Sequence, residues 1–487
     1  MMKTHRRFGV LLAVAMVGGF VQDRTVWGGN EGQEFRPSYP VVLTGKDVAA
    51  LLGAAPGRIV GFAWRYGKWV QVPVQVDQKV LAPKGQGGSN PAVPLKARWK
   101  SHYIFADPNH AAGPGGATLG DHDEIALLYD EFSEPAGAAA TDPAGVVPKS
   151  RVDLKAALQG QPPRWLSLFQ SAGALKPDAG RKPVAYSFHS LIAPEDRQRW
   201  EEVTPEISSY RFIPHRKENK VTYQLPPLPS EDSAVRGENY QVRFDARNRL
   251  GELKILTAGA SGDNILEHDK FYYGSDMRQQ TYLVSIGNRI LADIGGPVRA
   301  IRMRQLEWSA SLGYDEWVFY PRMVEAARHW IIHKGPALWF GMNFSESAIG
   351  MTYYDNLNER GVTIDGQPDD VRTGELKWQF IAGKPGSLLI QHSLDTNIQE
   401  LPRSSRYFDV KDPFYFTRNA TFPDTGAFAH GASGPLYGPY PQTAPKGEGG
   451  DYMVIRRRFL FGPPGMSLAQ VKAAVEQPLP TLEVINR

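Results

Sequence analysis

One-by-one alternation of apolar and polar side chains is the pattern that most constrains this chain. Valines occupy positions 70, 72, 74 and 76, and the residues between them are polar apart from Pro73. A period of two places alternate side chains on opposite faces, as in a strand with one buried face. The segment 58–64 comes just before, and Arg65-Tyr66-Gly67 suits a tight turn, so the sequence predicts a β-hairpin. Because proline has no N–H, we expect an edge strand or a bulge at Pro73.

Short apolar segments of this kind recur along the chain at a spacing of roughly 8–15 residues, with turn formers between them. Helical patterns are few. The apolar spacing predicts one helix over residues 321–333, and capping residues predict short helices over 46–52 and, after Ser467, over 468–477. This balance predicts a mainly β fold, built from β-sandwich-type domains with few short helices.

The length of 487 residues suits two or three domains. Residues 134–150 are rich in Ala, Pro and Gly, which is typical of a linker or an exposed loop. We therefore expect a small β-domain over residues 36–140 and a larger β-sandwich-like domain over residues 160–465. Residues 466–487 are expected to form a C-terminal helix and tail.

The N-terminus has the composition of a secretory signal. Lys3, Arg6 and Arg7 precede an uncharged, largely apolar run over residues 8–21. That run is shorter than the roughly 20 residues that a membrane-spanning helix needs. Residues 1–22 are therefore predicted to be a signal peptide, with an N-terminal anchor as the alternative. We expect a secreted or periplasmic body with no membrane span beyond this segment.

Charge and cysteine content exclude several classes of function. The chain has 55 basic and 51 acidic residues, so removal of the three basic residues of the signal lowers the net charge from +4 to +1. This charge predicts no nucleic-acid partner. Cysteine is absent, which excludes disulfides, thiolate metal sites and thiol nucleophiles. In an exported chain, core packing must then hold the fold.

Three segments in the first part of the chain carry a resemblance. Residues 40–77 begin Pro-Val-Val-Leu-Thr-Gly and end Val-Pro-Val-Gln-Val-Asp, residues 120–127 read Gly-Asp-His-Asp-Glu-Ile-Ala-Leu, and residues 165–169 read Trp-Leu-Ser-Leu-Phe. These segments resemble an uncharacterised family of secreted bacterial β-rich proteins, over roughly the first 190 residues. The resemblance implies secretion and a β fold, and it assigns no catalytic residue. Residues 295–299, Gly-Gly-Pro-Val-Arg, are similar to the start of a strand in sandwich domains of polysaccharide-active proteins.

Acidic residues surround the glycine-rich loop 107–120. Calcium takes six to eight oxygen ligands, often from carboxylates and carbonyls of a flexible loop, so this loop suggests a structural Ca²⁺ site. The alternatives are turn-forming residues beside short strands, or a catalytic pair. The candidate metal ligands are Asp77, Asp107, Asn109, Asp121, Asp123 and Glu124.

Known catalytic motifs are missing from the sequence. It contains no G-x-S-x-G, no Walker pattern and no H-E-x-x-H. On a helix over 321–333, His329 and His333 would lie one turn apart and could bind zinc; on a strand they would be about 13 Å apart, too far to share an ion. Acid–base chemistry otherwise needs carboxylates or histidines that face each other. The candidates are His329, Asp355, Asp365, Asp369 and His392.

Three tyrosines, Tyr437, Tyr440 and Tyr452, lie in or beside a Gly/Pro/Tyr-rich loop over residues 424–451. Exposed rings offer stacking faces for sugars, whereas buried rings would fill the space between two sheets. The sequence therefore favours a secreted protein that binds polysaccharide or cell-surface glycan without a catalytic signature. A glycoside hydrolase or polysaccharide lyase with a cleft in the second domain is the main alternative. An accessory subunit of an extracytoplasmic redox complex is a further one.

Overall fold

Strands dominate the regular structure, as the alternating patterns predict. The computed structural model describes residues 39–81, 103–110, 112–137, 139–181, 184–187, 233–244, 250–273, 290–308, 311–332, 337–409, 431–439 and 451–486. The predicted signal peptide, residues 1–22, lies outside these ranges. Phe35–Arg487 form one compact unit.

The strands follow one another along the chain in two long series. The first series is β1 (Pro40–Thr44), β2 (Ile59–Arg65), β3 (Lys68–Val72), β4 (Gln75–Asp77), β5 (Lys79–Leu81), β6 (Tyr103–Phe105), β7 (Glu124–Leu128), β8 (Val152–Ala157), β9 (Arg164–Gln170), β10 (Ala185–Ser187), β11 (Ser233–Arg236), β12 (Tyr240–Phe244) and β13 (Leu250–Ile255). The second series is β14 (Leu266–Tyr273), β15 (Ile290–Ile294), β16 (Ala300–Trp308), β17 (Ser311–Tyr320), β18 (Met323–Ile332), β19 (Leu338–Phe344), β20 (Thr352–Asp355), β21 (Val362–Thr363), β22 (Trp378–Gly383), β23 (Gly386–Thr396), β24 (Arg403–Phe408), β25 (Ala432–Tyr437), β26 (Asp451–Gly462) and β27 (Thr481–Asn486).

These strands pair antiparallel in sheets of unequal size. The largest has nine strands in the order β15-β16-β17-β18-β26-β23-β22-β20-β21. Two four-stranded sheets follow the orders β10-β11-β12-β13 and β14-β19-β25-β24. The other sheets have the orders β27-β8-β9-β2-β3, β1-β7-β4 and β5-β6. The predicted mainly β, sandwich-type fold is confirmed.

Helices are short in the described residues. Single 3-10 turns or short 3-10 helices cover Gly45–Leu51, Pro56–Arg58, Tyr129–Glu131 and Glu346–Ala348. The α-helix α1 spans Leu468–Glu476, and Ser467 caps it as predicted, since its Oγ accepts the Gln470 N–H at 3.3 Å. Within the described ranges, no helix is both long enough and apolar enough to cross a bilayer.

The predicted hairpin is formed by β2 and β3, with Arg65 paired to Lys68 across the turn. β3 is an edge strand of its sheet and ends at Val72, one residue before Pro73. The chain then enters β4, which belongs to a different sheet and pairs with β7. The run of alternating valines thus contributes to two sheets, and the chain passes from one sheet to the other at Pro73. Val72 and Val74, on either side of this proline, are both buried.

The helix predicted over residues 321–333 is wrong, because this segment forms the strand β18 between β17 and β26. Both faces of the strand are covered: Val324 and Ala326 belong to one apolar core and Met323 to another. A strand buried on both faces loses its alternation, and its apolar positions then resemble a helical spacing. His333 lies outside the described residues, and the helical spacing on which a two-histidine zinc site depended is not formed.

The cores lie on the two faces of the nine-stranded sheet and beneath the first sheets. One face packs against the two four-stranded sheets. The other packs against β6, β7 and α1. β7 lies between two cores, since Ile125 and Leu127 face one of them and Ala126 and Leu128 face the other. The five-stranded sheet joins strands from both sides of the domain boundary predicted after residue 140, together with the tail strand β27.

Candidate functional site

A polar surface lies on one face of the nine-stranded sheet, which we call the outer face. This is the face that packs against β6, β7 and α1; the inner face packs against the four-stranded sheets. Side chains two residues apart on a strand share a face, and residues in register on neighbouring strands form rows across it. We define the outer-face site as Tyr314, Glu316, His329, Asp395, Tyr452 and Arg456.

Two rows build the site from strands that are distant in sequence. In one row, Tyr314 of β17 pairs with His329 of β18, which pairs with Val454 of β26. In the next, Glu316 pairs with Ala327, which pairs with Arg456. The strands are about 4.8 Å apart, so Glu316 and Arg456 lie about 10 Å apart at their Cα atoms. Ala327 between them has only a methyl group, and it is 8% exposed.

Glu316 is the central ionisable group of this site. It is half-buried, and desolvation raises the pKa of its carboxyl. Lys79 and Arg456 act in the opposite direction, while the charge of Glu124 adds to the increase. Within the described part of the chain, the carboxyl has neither a hydrogen-bond donor nor an ion-pair partner. A desolvated carboxyl without a partner keeps its proton to a higher pH than an exposed glutamate does, and it can release that proton to a ligand.

A stacked pair of rings borders Glu316. The Tyr314 and His329 rings lie 4.2 Å apart at their centroids with an interplanar angle of 12°. Both are almost completely buried, so the stack fixes the imidazole beside the carboxyl. Burial raises the pKa of the Tyr314 hydroxyl, and the neighbouring Glu316 raises it further. Tyr314 therefore stays protonated at any physiological pH.

The opposite side of the site is open to solvent. Arg456 is exposed, as are Ser393 and Asp395 on the adjacent strand β23. The Tyr452 hydroxyl donates to Asp395 Oδ1 at 2.9 Å, which aligns the ring and the carboxylate. Arg456 makes no hydrogen bond or ion pair with any described residue, so its guanidinium is available to a ligand.

Ion-paired residues surround the site and differ from Glu316 in this respect. Glu325 lies on the same face and pairs with Arg458 at 2.8 Å. Glu124 pairs with Lys79 and, at 2.7 Å, with Arg299. Burial alone would raise the pKa of Glu124, but Arg299 and Lys79 together lower it. Of these three glutamates, Glu316 is the one without a counter-charge in contact.

The predicted calcium ligands are used mainly by the protein itself. Asp77 and Glu124 are in register and both accept from the buried Arg299, at 2.8 Å and 2.7 Å. Asp123 accepts the N–H of Lys79 and of Gly120. Asp107 accepts the N–H of Asn109 and of Asp293, both at 2.9 Å.

Two of the candidate ligands, Asp121 and Asn109, are exposed. Among the described residues, no three His, Asp or Glu side chains are arranged to hold a metal ion. The calcium site stays a prediction. A melting temperature that falls on chelation with EDTA and returns with added calcium would support it.

The five candidate catalytic residues do not converge. His329 belongs to the outer-face site, whereas His392 lies on the inner face beside Arg457. The Asp355 carboxylate stabilises a turn, because it accepts the N–H of Leu357 and of Asn358. Asp365 and Asp369 lie elsewhere, near Asp409. Partial burial, with the charge of Asp365, raises the pKa of Asp369.

The three tyrosines predicted to bind ligand have different surroundings. Tyr452 belongs to the outer-face site. The prediction that Tyr437 binds a ligand has to be corrected. Tyr437 is 4% exposed and packs beside Phe340, so its ring presents no face to a ligand. It lies on β25, one of the strands that cover the inner face, which is why it is buried. Tyr440 lies outside the described residues.

Sequence reasoning missed four members of the site, Tyr314, Glu316, Asp395 and Arg456. Tyr314, Glu316 and His329 would have been grouped if both segments had been recognised as neighbouring strands. Arg456 begins the basic run over residues 456–458, which lies in β26 and is exposed at Arg456. Its partner rows depend on pairing between residues more than a hundred positions apart, for which the sequence carries no local signal.

Comparisons with known proteins add little to this geometry. No family model matches the sequence, and no curated protein is significantly similar to it. Among solved structures, heparinase III has a TM-score of 0.29 at 7% identity, covering 50% of this chain and 38% of its own. A heparan sulfate lyase HepC mutant from Pedobacter heparinus has 0.27 at 9%, covering 55% and 43%.

The protein HI1317 has a TM-score of 0.27 at 10% identity, covering 49% of this chain and 97% of its own. The chain thus spans less than half the length of heparinase III and of HepC. TM-scores this low do not establish a shared fold, so nothing about the function of this chain follows from the three similarities.

Proposed function

We propose that this protein binds a polysaccharide on the outer-face site and cleaves it by acid–base chemistry, with Glu316 as the proton donor. The observation that carries the proposal is the unpaired, half-buried carboxyl of Glu316 between the Tyr314–His329 stack and the exposed Arg456. The Glu316 carboxyl and His329 lie on one face with the partly exposed Tyr452, and this arrangement fits a catalytic site better than a flat binding surface.

Each group has a role that its surroundings support. Protonated Glu316 donates its proton to the glycosidic oxygen as the bond from that oxygen to the anomeric carbon breaks. A water molecule from solvent adds to that carbon and loses a proton to solvent, from which Glu316 is protonated again. Arg456 has five N–H donors in a fixed plane and can hold a sugar carboxylate or a pair of hydroxyls. The Tyr452 hydroxyl donates to Asp395, so the Asp395 carboxylate and the Tyr452 hydroxyl oxygen can both accept from hydroxyls of a neighbouring sugar. The buried His329 holds its position through the stack with Tyr314 and orients the site.

The test compares two glutamates on the same face. Glu316→Gln removes the proton and keeps the shape, so turnover of a cleaved polysaccharide should fall by about 100-fold or more, with binding retained. Glu325→Gln is the matched control, because Glu325 is already ion-paired, and it should keep activity within a few-fold. Reducing ends measure cleavage, and an unsaturated sugar in the product distinguishes elimination from hydrolysis.

Stability at different pH values gives a second readout for Glu316. Its pKa is raised in the folded protein, so ionisation lowers stability as pH rises through the unfolded and then the folded pKa. Glu316→Gln should therefore raise the melting temperature at neutral pH and leave it unchanged in acid. Equal turnover by the wild type and by Glu316→Gln would overturn the proposal. So would a wild-type protein that neither binds nor cleaves any glycan on an array.

A non-catalytic glycan-binding protein is the second candidate. The burial of the His329 ring favours it, because a buried imidazole cannot exchange a proton with a ligand directly. Retained binding on a glycan array without release of reducing ends from any bound glycan would support this candidate.

We also propose that the protein is exported, on the basis of the basic and apolar segment at residues 1–22. N-terminal sequencing of protein from the periplasmic and extracellular fractions tests this. A chain that starts after residue 22 in either fraction supports cleavage of a signal peptide. Protein found in the cytoplasm with Met1 intact contradicts export.

A further inference from the structure

Arg456 differs from the two arginines that follow it in β26. Arg457 pairs with Asp269 at 2.7 Å, and Arg458 pairs with Glu325 at 2.8 Å. Arg456 is exposed and has no counter-charge in contact among the described residues. Its charge and its N–H donors are therefore left for a group from outside the chain.

The position of Arg456 makes it part of the surface that a ligand of Glu316 must cover. The two side chains lie in one row on the outer face, separated by Ala327. Asp395 lies diagonal to Arg456 on β23, but its carboxylate accepts from Tyr452 at 2.9 Å. A ligand that reaches Glu316 therefore displaces water from a guanidinium without a counter-charge.

The charge of Arg456 distinguishes between the two kinds of sugar group that an arginine can hold. Sugar hydroxyls accept its N–H groups, but they leave a desolvated positive charge uncompensated, which is unfavourable. A carboxylate accepts two parallel N–H bonds and also neutralises the charge. Among the groups that a polysaccharide offers, the carboxylate of a uronic acid therefore matches Arg456 better than neutral hydroxyls do.

The charge of Arg456 also acts on Glu316. Desolvation raises the pKa of the Glu316 carboxyl, while the positive charges of Lys79 and Arg456 lower it. Lys79 and Arg299 are ion-paired with Glu124, whereas Arg456 is open to a ligand. A carboxylate bound to Arg456 cancels its charge, so the pKa of Glu316 is higher in the complex than in the free protein. The titratable and charged groups around Glu316 are Tyr314 on β17, Glu325 and His329 on β18, Arg456 and Arg458 on β26, Lys79 on β5, Glu124 on β7, and Arg299 just before β16.

We infer that Arg456 selects an acidic sugar by pairing with the carboxylate of a uronic acid, and that this pairing makes Glu316 take up the proton that it donates. The assignment rests on the proposed function, because it names the substrate class of the outer-face site. The proton comes from solvent, and the ion pair forms without a covalent step. A neutral sugar at the same place leaves the charge of Arg456 uncancelled, so Glu316 is protonated to a smaller extent.

Matched polymers with and without carboxylates test the selection. Alginate, polygalacturonate and unsulfated chondroitin are each compared with a form whose carboxyl groups have been reduced to alcohols. Affinity, measured by retardation in gels that contain each polymer, should be about 10-fold higher or more for at least one of the native forms. Arg456→Gln should abolish this difference, because it removes the charge and keeps a side chain that forms hydrogen bonds. Arg406→Gln is the matched control, since Arg406 is exposed on β24 in a different sheet, and it should preserve the difference.

Calorimetry tests the uptake of the proton. The heat of binding of the retained uronate polymer, measured in buffers of different ionisation enthalpy, gives the number of protons that the complex gains. The wild type should gain part of a proton, and Glu316→Gln should bind the same polymer without gaining any. Uptake that persists in Glu316→Gln would come from another group, such as His329, and would overturn the coupling.

The outcomes separate this inference from the proposed function. Glu316-dependent cleavage of a neutral polymer at the same rate in the wild type and in Arg456→Gln overturns the uronate and leaves the proposed function in place. Arg456-dependent binding of a uronate polymer, with equal turnover in the wild type and in Glu316→Gln, supports the selection and contradicts acid catalysis by Glu316. Retardation by dextran sulfate and by none of the uronate polymers would assign Arg456 to a sulfate ester and overturn the uronate.

Discussion

Single residues show their role most clearly where polar atoms are buried without partners. Arg457 and Arg458 are adjacent on β26 and point to opposite faces, where Arg457 meets Asp269 at 2.7 Å and Arg458 meets Glu325. His392 is next to Arg457 on the inner face, and both of its ring nitrogens are inaccessible to solvent and without hydrogen-bond partners. One basic run thus provides an ion pair on each face, while the imidazole beside it has none.

His392 predicts a specific acid sensitivity. Burial, and then the charge of Arg457, lower the pKa of this imidazole to about 3. Protonation is therefore easier in the unfolded chain, and the stability present above the unfolded pKa of about 6.5 is lost as pH falls toward 3. The loss from this group alone is roughly 3–5 kcal/mol. Urea denaturation at a series of pH values from 7 to 4 measures it.

Replacement of the imidazole should remove this sensitivity. His392→Leu should unfold at a higher urea concentration than the wild type below pH 6, with a smaller decline in the free energy of unfolding. His122→Gln is the control, since it removes an imidazole from an exposed position. Parallel pH profiles for His392→Leu and wild type would show that the imidazole is hydrated or paired in solution.

Elements differ in how far the sequence alone predicts them. The β2–β3 hairpin and α1 depend on local patterns, alternation and a cap, and both are found where predicted. β18 does not, because burial on both faces erased its alternation. The outer-face site required the order β17-β18-β26, which joins residues 314, 329 and 456 by long-range pairing. His329 and Tyr452 were identified by residue type, whereas Glu316 and Arg456 needed the register.

The junction between β4, β7 and the start of β16 is held by one side chain. Arg299 is 2% exposed, and its guanidinium contacts Asp77 and Glu124 on neighbouring strands. Gln75 reinforces the junction, because its Oε1 accepts the N–H of Val298 and of Arg299. Removal of one partner from a buried ion pair leaves an uncompensated charge, which costs about 3–5 kcal/mol.

Arg299→Met should therefore lower the free energy of unfolding by about 3–5 kcal/mol, measured by urea denaturation at pH 7. The triple variant Arg299→Met, Asp77→Asn, Glu124→Gln removes the stranded charges and should recover much of this loss. A triple variant no more stable than Arg299→Met would mean that the packing of the guanidinium, over the Phe105 ring, matters more than its charge.

At the scale of the whole molecule, the C-terminal segment contacts both the nine-stranded and the five-stranded sheet. α1 packs on the outer face through the fully buried Val471, and Gln391 donates to the Val475 carbonyl at 3.3 Å. The chain then crosses to β27, which pairs with β8 from Thr481↔Ala157 to Asn486↔Val152. Leu482 and Val484 pack against the core of the first sheets. In this chain without cysteine, the pairing of β27 with β8 attaches the C-terminal segment to the first sheets.

Deletion of residues 481–487 tests this closure. The deletion exposes the edge of β8 and part of the apolar core beneath it, so we expect a loss of several kcal/mol in stability and association of exposed edges. Urea denaturation followed by tryptophan fluorescence measures the first, and light scattering measures the second. Glu483→Ala is the matched control, because it removes only the exposed ion pair with Lys155 and should change stability by less than about 1 kcal/mol.

If the truncated chain keeps the wild-type midpoint of unfolding and stays monomeric, β27 does not contribute to stability and the five-stranded sheet is complete without it. The truncated chain could also unfold in two steps, with the sheets formed by the first part of the chain lost before the nine-stranded sheet. That result would show that β27 makes these sheets unfold together.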